Sequence, residues 1–260
     1  MTAPPVMYES GEGIATITLN RPEVLNALND ALIGALREAL ERAAAEEAVR
    51  AVLVTGAGRG FSSGADLASV PPSPSLDLGE LLRRRYHPVI LAMRSMPKAV
   101  ICAVNGPAAG AGMSIALAGD IVLAARSASF VQAFARIGLV PDAGSTWFLP
   151  RYAGDARARA MALLAEPIDA AAAERFGLVW KVFDDEQLMP QARLLAARLA
   201  GQPQRAIALI KRALNESPAH ELPTQLELEA TLQSEAGRTE DFAEGVAAFL
   251  QRRTPVFRGR

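Results

Sequence analysis

The chain has 260 residues, a length that suits one large domain or a core with a small appendage. Half of it is hydrophobic but only 5% is aromatic, so the core must be built from Ala, Leu, Val and Ile, which excludes disordered and repetitive classes. A formal net charge of −1 gives no electrostatic reason to expect nucleic acid or an anionic membrane as partner; with no basic-then-apolar leader and no apolar run near the ~20 residues of a membrane span, a soluble cytoplasmic protein is expected.

In chain order, Gly13 to Leu19 is rich in β-branched residues between Gly11 and Asn20-Arg21-Pro22 and reads as a strand. Asn29 is a plausible N-cap for a helix running to about Glu47, with Leu32, Leu36 and Leu40 at helical spacing. Ala51 to Thr55 reads as a buried strand, Gly56 to Gly64 as a glycine-rich loop, and the proline-rich Val70 to Ser75 as a mobile loop. A helix over Leu78 to Arg94 precedes the apolar strand Ala99 to Val104. Gly106 to Gly112 is a second small-residue turn, leading into a helix over Met113 to Ala118 and a strand over Asp120 to Ala124. This alternation predicts an α/β fold whose strands are buried on both faces. Beyond about Ser145 the pattern predicts helices with one short strand, Leu178 to Phe183. The helices fall at Glu186 to Ala200, Arg205 to Asn215, Leu222 to Gly237 and Thr239 to Arg252. The expected division is a catalytic core over 1–195 and a helical oligomerisation region over 196–260.

Cys102, the only cysteine, sits in the run Ala99 to Val104 and reads as a small buried hydrophobe rather than a nucleophile. His87 and His220 are isolated, so neither a metal site nor a Ser-His-Asp system is expected. Arg83-Arg84-Arg85 reads as a solvated helix face, and Gly56-Ala57-Gly58-Arg59-Gly60 fits neither a P-loop nor a dinucleotide fingerprint. Asp142, in Gly138-Leu139-Val140-Pro141-Asp142-Ala143-Gly144, is a carboxylate among apolar neighbours just ahead of a helix start. Two roles are open to it: an N-cap, or a poorly solvated acid suited to proton transfer near neutral pH. The turns Phe61 to Leu67 and Ala108 to Gly112 each follow an apolar strand. Their free N–H groups suit either an oxyanion hole or tight strand-to-helix packing.

Several segments, in this order, resemble the crotonase or enoyl-CoA hydratase/isomerase family. They are Asn20-Arg21-Pro22 with Leu25 to Leu28, then GRGFSSGADL, KAVICAVNGPAAGAGM, GDIVLAARSASF and GLVPDAGSTWFLPR. The resemblance implies a crotonase-like ββα spiral core with C-terminal helices that trimerise, as a homotrimer or dimer of trimers. It implies an acyl-CoA substrate, with coenzyme A as part of that substrate and no separate cofactor. Carried over by position, Ala65 and Ala111 would be the oxyanion-hole donors. Leu25, Ala27, Ser63, Gly64, Asp66, Leu67, Gly112 and Phe134 would line the substrate site. The two glutamates of the family's hydratases fall at Ser114 and Phe134 here, so hydratase activity is disfavoured. Asp142 is left as the catalytic acid/base of an isomerase, with Phe134 as an apolar wall. Within the family, ARSASFVQAFARIGLVPDAGSTWFLPR and the tail DFAEGVAAFLQRRTPVFRGR are most similar to isomerases of ring-epoxide thioesters in phenylacetate degradation. The alternatives are a Δ3,Δ2-enoyl-CoA isomerase and a non-catalytic acyl-CoA-binding subunit.

Overall fold

The computed structural model describes residues 3–69 and 77–259; the proline-rich Val70 to Ser75 lies outside the described residues. A twisted six-stranded sheet forms the centre. Its first two strands, β1 (Val6–Gly11) and β2 (Ile14–Leu19), form an antiparallel hairpin. The hairpin closes through Glu12 and Gly13, both at positive φ, the backbone that short hairpin turns require. The remaining strands run parallel, with β3 (Ala51–Gly56) and β4 (Ala99–Val104) at the centre. Every residue of those two strands is buried, which explains why both read as unbroken apolar runs.

Parallel strands need crossovers, and these supply the helices. Helix α1 (Asp30–Ala45) starts where Asn29 accepts a hydrogen bond from the Leu32 N–H at 2.9 Å. It packs on β1 and β2 and against α2 (Leu78–Ser95), which begins at the Asp77 cap. After β4 come a two-residue strand, β5 (Ala108–Ala109), and helix α3 (Ala111–Leu117), which starts two residues ahead of the expected Met113 because Gly110, at φ +50°, opens it. The main sheet continues through β6 (Ile121–Ala125).

A second sheet was not foreseen: β5 pairs with β7 (Ser129–Val131), which pairs with β8 (Ile168–Asp169). Its strands have two or three residues each, too few to establish an alternation. Between β7 and β8 lie α4 (Ser145–Ala153) and α5 (Asp155–Leu164). Helix α6 (Ala170–Phe176) then leads to β9 (Lys181–Phe183), the far edge of the main sheet. The strand expected over Leu178 to Phe183 is thus shorter: Leu178 and Val179 are buried, but their N–H groups close the end of α6 on the Ala173 carbonyl. Helix α7 (Asp185–Ala200) lies across β2, β3, β4, β6 and β9, covering the sheet.

Three helices complete the chain: α8 (Gln204–Glu216), α9 (Leu222–Ala236) and α10 (Glu240–Leu250). Helix α8 touches α2 and α9. Large apolar side chains on these helices, among them Leu214, Leu222, Phe249 and Leu250, remain exposed. No helix among the described residues is long and apolar enough to cross a membrane. Cys102 is fully buried and burial pushes its thiol up, as suits an inert core residue. Arg83 and Arg84 are exposed, whereas Arg85 pairs with Asp30 across α1 and α2.

Candidate active site

The two small-residue turns are stitched to each other by main chain. The Ser62 N–H donates to the Pro107 carbonyl at 3.1 Å, and the Ala109 N–H donates to the Ser62 carbonyl at 2.9 Å. Gly64 shows how close they come. A Cβ at that position would lie 2.7 Å from the Ala109 carbonyl oxygen and 3.6 Å from the Ala111 nitrogen, and Gly64 sits at φ +88°. Only glycine meets both demands.

The direction of the Ala65 N–H follows from the pairing on its other side. Leu28 forms a parallel bridge to Ala65: its N–H donates to the Gly64 carbonyl at 2.8 Å and its carbonyl accepts from the Asp66 N–H at 3.1 Å. A residue flanked in this way turns its own N–H to the opposite side of the strand. Ala111 is the first residue of α3, where no carbonyl four positions earlier lies within the helix, and Gly110 offers no side-chain cap. Among the described residues neither N–H has a hydrogen-bond partner, so both can receive an external acceptor.

The first turn is held by side chains. Asn26, fully buried at φ +55°, accepts from the Arg21 N–H and donates to the carbonyls of Ala57 and Gly60. Arg21 in turn bonds the Ala27 carbonyl at 2.7 Å and the Asp66 carboxylate at 2.9 Å. Asp66 is therefore engaged by Arg21, and Ala27 is buried beneath the same clamp. Leu25 is half-buried against Gly60, and its carbonyl accepts from the Ser63 N–H. Ser63 and Leu67 are exposed at the rim. Gly112 faces inward, where an added Cβ would lie 2.6 Å from the Ser62 Cβ; the structure places it in strand-to-helix packing, away from the rim. Asn26 carries this scaffold but was not singled out, because a buried asparagine at a left-handed position shows its purpose only once its partners are in place.

Asp142 lies beside the second turn. Its main-chain carbonyl accepts from Ser114 Oγ at 3.0 Å, and Ser114 sits one helical turn beyond Ala111. Phe134 is buried with its ring over Gly110, where an added Cβ would lie 3.6 Å from it. The side chain of Asp142 does not cap α4. Gly144 holds the N-cap position without a side-chain bond, and it is the Asp142 carbonyl that accepts from the Ser145 N–H at 3.0 Å. The capping role left open by the sequence is thereby removed. Asp142 Oδ1 is buried without a hydrogen-bond partner. Desolvation alone pushes the carboxyl from its ordinary 3.8 to about 6. Tyr86, also buried, is close enough that the Asp142 charge helps push its phenol upward.

A desolvated acid near two closely packed turns with free N–H donors can move a proton while negative charge is held on a neighbouring oxygen. The family model for enoyl-CoA hydratase/isomerase matches residues 9–260. The chain belongs to that family and is an enzyme of it. It is 49% identical to the 1,2-epoxyphenylacetyl-CoA isomerase of Escherichia coli K12, over 96% of each chain. It is 51% identical to a probable enoyl-CoA hydratase of Rhodobacter capsulatus, over 98% of each. The fold superposes on the enoyl-CoA hydratase of Bacillus anthracis with a TM-score of 0.92 at 30% identity, covering 98% of this chain and 100% of the other.

Proposed function

We propose that this enzyme is an acyl-CoA isomerase, converting 2-(1,2-epoxy-1,2-dihydrophenyl)acetyl-CoA to oxepin-CoA with Asp142 as its proton shuttle. The observation that carries the reading is the desolvated carboxylate of Asp142, whose Oδ1 is buried without a hydrogen-bond partner. The relative that shares half its residues and is a 1,2-epoxyphenylacetyl-CoA isomerase supports the choice of substrate. Asp142 takes the proton α to the thioester, and the electron pair of that C–H bond moves into an enolate. Ala65 and Ala111 N–H groups hold the enolate oxygen, each donor worth up to a few kcal/mol in the transition state. The enolate electrons return through the opening ring, and the same carboxyl delivers the proton to a ring carbon. Substrate and product have the same composition, so no cofactor is consumed and coenzyme A stays on the substrate. Phe134 keeps water from the enolate. The exposed apolar side chains of α8, α9 and α10 support subunit contacts, in this reading those of a trimer or dimer of trimers.

Hydration of an enoyl thioester needs a second acid to handle water, and Ser114 and Phe134 provide none. The experiment uses phenylacetyl-CoA in D2O, where deuterium entering the α carbon reports enolate formation directly. The wild-type enzyme should exchange that position, whereas Asp142→Asn should lose exchange by roughly 10³-fold with thioester binding nearly unchanged. A wild type that does not exchange, or an Asp142→Asn enzyme that exchanges normally, removes the assignment. Turnover of the ring epoxide against 3-enoyl-CoA esters then separates the two isomerase substrates. Crotonyl-CoA hydration at a rate equal to isomerisation would favour the hydratase.

A further inference from the structure

Behind Asp142 runs a buried chain of side chains that the proton shuttle itself does not use. Gln132 follows β7 and is fully buried, as are Ser145 at the start of α4 and Ser114 in α3. Gln132 Nε2 lies 3.0 Å from Ser145 Oγ, and Ser145 Oγ lies 2.6 Å from Ser114 Oγ. Ser114 Oγ reaches the carbonyls of Asp142, at 3.0 Å, and Gly110, at 3.1 Å.

The protons in this chain run one way only. Both carbonyls can only accept, so the single Ser114 proton points at them. The 2.6 Å contact between the hydroxyls then needs the Ser145 proton. With its proton committed, Ser145 Oγ must be an acceptor toward Gln132, which therefore presents its NH₂ group. The reversed amide would leave that short oxygen–oxygen contact with no proton in it. The assignment leaves Gln132 Oε1 as the buried atom without a partner.

We propose that Gln132, Ser145 and Ser114 form a one-way hydrogen-bond relay whose task is to position Asp142 against the second N–H turn. Its last member holds two points at once. The Gly110 carbonyl belongs to the residue that opens α3 ahead of the Ala111 N–H, and the Asp142 carbonyl belongs to the acid. One hydroxyl thus sets the separation between the proton acceptor and the group that stabilises the enolate. Reaction rates are sensitive to such placement at the ångström level. Gln132 fixes the relay's direction from the second sheet, and its unpartnered Oε1 is the cost of that orientation. These three are positioning residues, because they act through Asp142 and do not themselves meet the substrate.

The inference rests on Asp142 as the base, and the experiment separates the two claims. Phenylacetyl-CoA exchange in D2O is measured per folded enzyme for Ser114→Ala, Ser145→Ala, the double variant and Gln132→Met. Each serine variant is expected to lower the maximal exchange rate about 10-fold with KM within twofold. The double variant is expected to be no slower than the slower single one, because either cut breaks the same chain. With the clamp released, the carboxylate gains water. The pH midpoint of exchange, set by Asp142 with Tyr86 as its ionisable neighbour, should move down from about 6. Full exchange per folded molecule with an unmoved midpoint overturns the relay, even if the variants melt earlier. Losses that multiply in the double variant also overturn it. If a serine variant does not fold, Gln132→Met, which keeps the side chain's length, decides on the same two readouts. An Asp142→Asn enzyme that still exchanges defeats the reading of the base, whatever the serines do.

Discussion

Two half-buried, desolvated aspartates in this protein have opposite surroundings. Asp120 follows α3, and one of its oxygens lies 2.6 Å from Lys211 Nζ and 2.8 Å from the Val100 N–H. Lys211 completes its own shell on the carbonyls of Met93 and Lys98, so the pair ties α8 to β4 and the end of α2. Burial pushes the Asp120 carboxyl up and the Lys211 ammonium down, against their mutual attraction. Asp142 is desolvated too, yet no cation opposes the effect and Oδ1 accepts nothing. Burial is common to both, and the partner makes the difference. A paired buried acid holds helices together, whereas an unpaired one is kept at a cost in stability and is available for chemistry.

Exchanging the acid for its amide at each site tests that contrast. Asp120→Asn strands the Lys211 charge and should cost about 3–5 kcal/mol, read as a fall in Tm of roughly 10 °C. Activity per folded molecule should stay close to wild type. Asp142→Asn should do the reverse, abolishing exchange while raising stability above neutrality. The sign follows from linkage. A carboxyl whose pKa rises on folding, from 3.8 to about 6, destabilises the fold when ionised. The penalty is absent below about pH 4, grows between pH 4 and 6, and is complete above pH 6. Removing it should gain up to about 3 kcal/mol at pH 8 and nothing at pH 4. A uniform gain across pH would show that Asp142 is not desolvated. In the wild type, kcat/KM should rise with pH and level off above about 6, since only the ionised acid accepts a proton.

A third substitution tests the framework shared by both turns. Gly64→Ala places a Cβ 2.7 Å from the Ala109 oxygen at a positive φ, and must separate the two N–H donors. Loss of roughly 10²-fold in exchange is expected, with Asp142 untouched. The smallest effect is expected at Arg21→Gln, which loosens the partly exposed Asp66 clamp. That change should raise KM a few-fold and leave the pH midpoint in place.

The central strands β3 and β4, the cap at Asn29 and the helices from α7 onward were legible because long apolar runs and regular spacing leave few alternatives. Strand β1 was missed, since VMYESG lies at a sheet edge and only partly buries its side chains. The three-stranded second sheet was missed for want of length, and with it the setting of Gln132. Asp142 shows the limit most directly. Its seven-residue neighbourhood favours a cap slightly over a base, and the choice depends on where its carboxylate oxygens point.

The amino-acid sequence by itself determined the α/β class, the positions of the glycine-rich turns and the set of residues available for chemistry. Local backbone preference and apolar periodicity act over a few residues and are written directly in the chain. Tertiary structure alone decided that the Ala65 and Ala111 N–H groups are unspent, that the Asp120 carboxylate has a cationic partner and Asp142 Oδ1 has none, and that Gln132, Ser145 and Ser114 meet. Those outcomes depend on which groups from distant segments are left facing one another once the backbone hydrogen bonds are made. Solvent exclusion, which sets the proton affinity of Asp142, comes into being only with that packing.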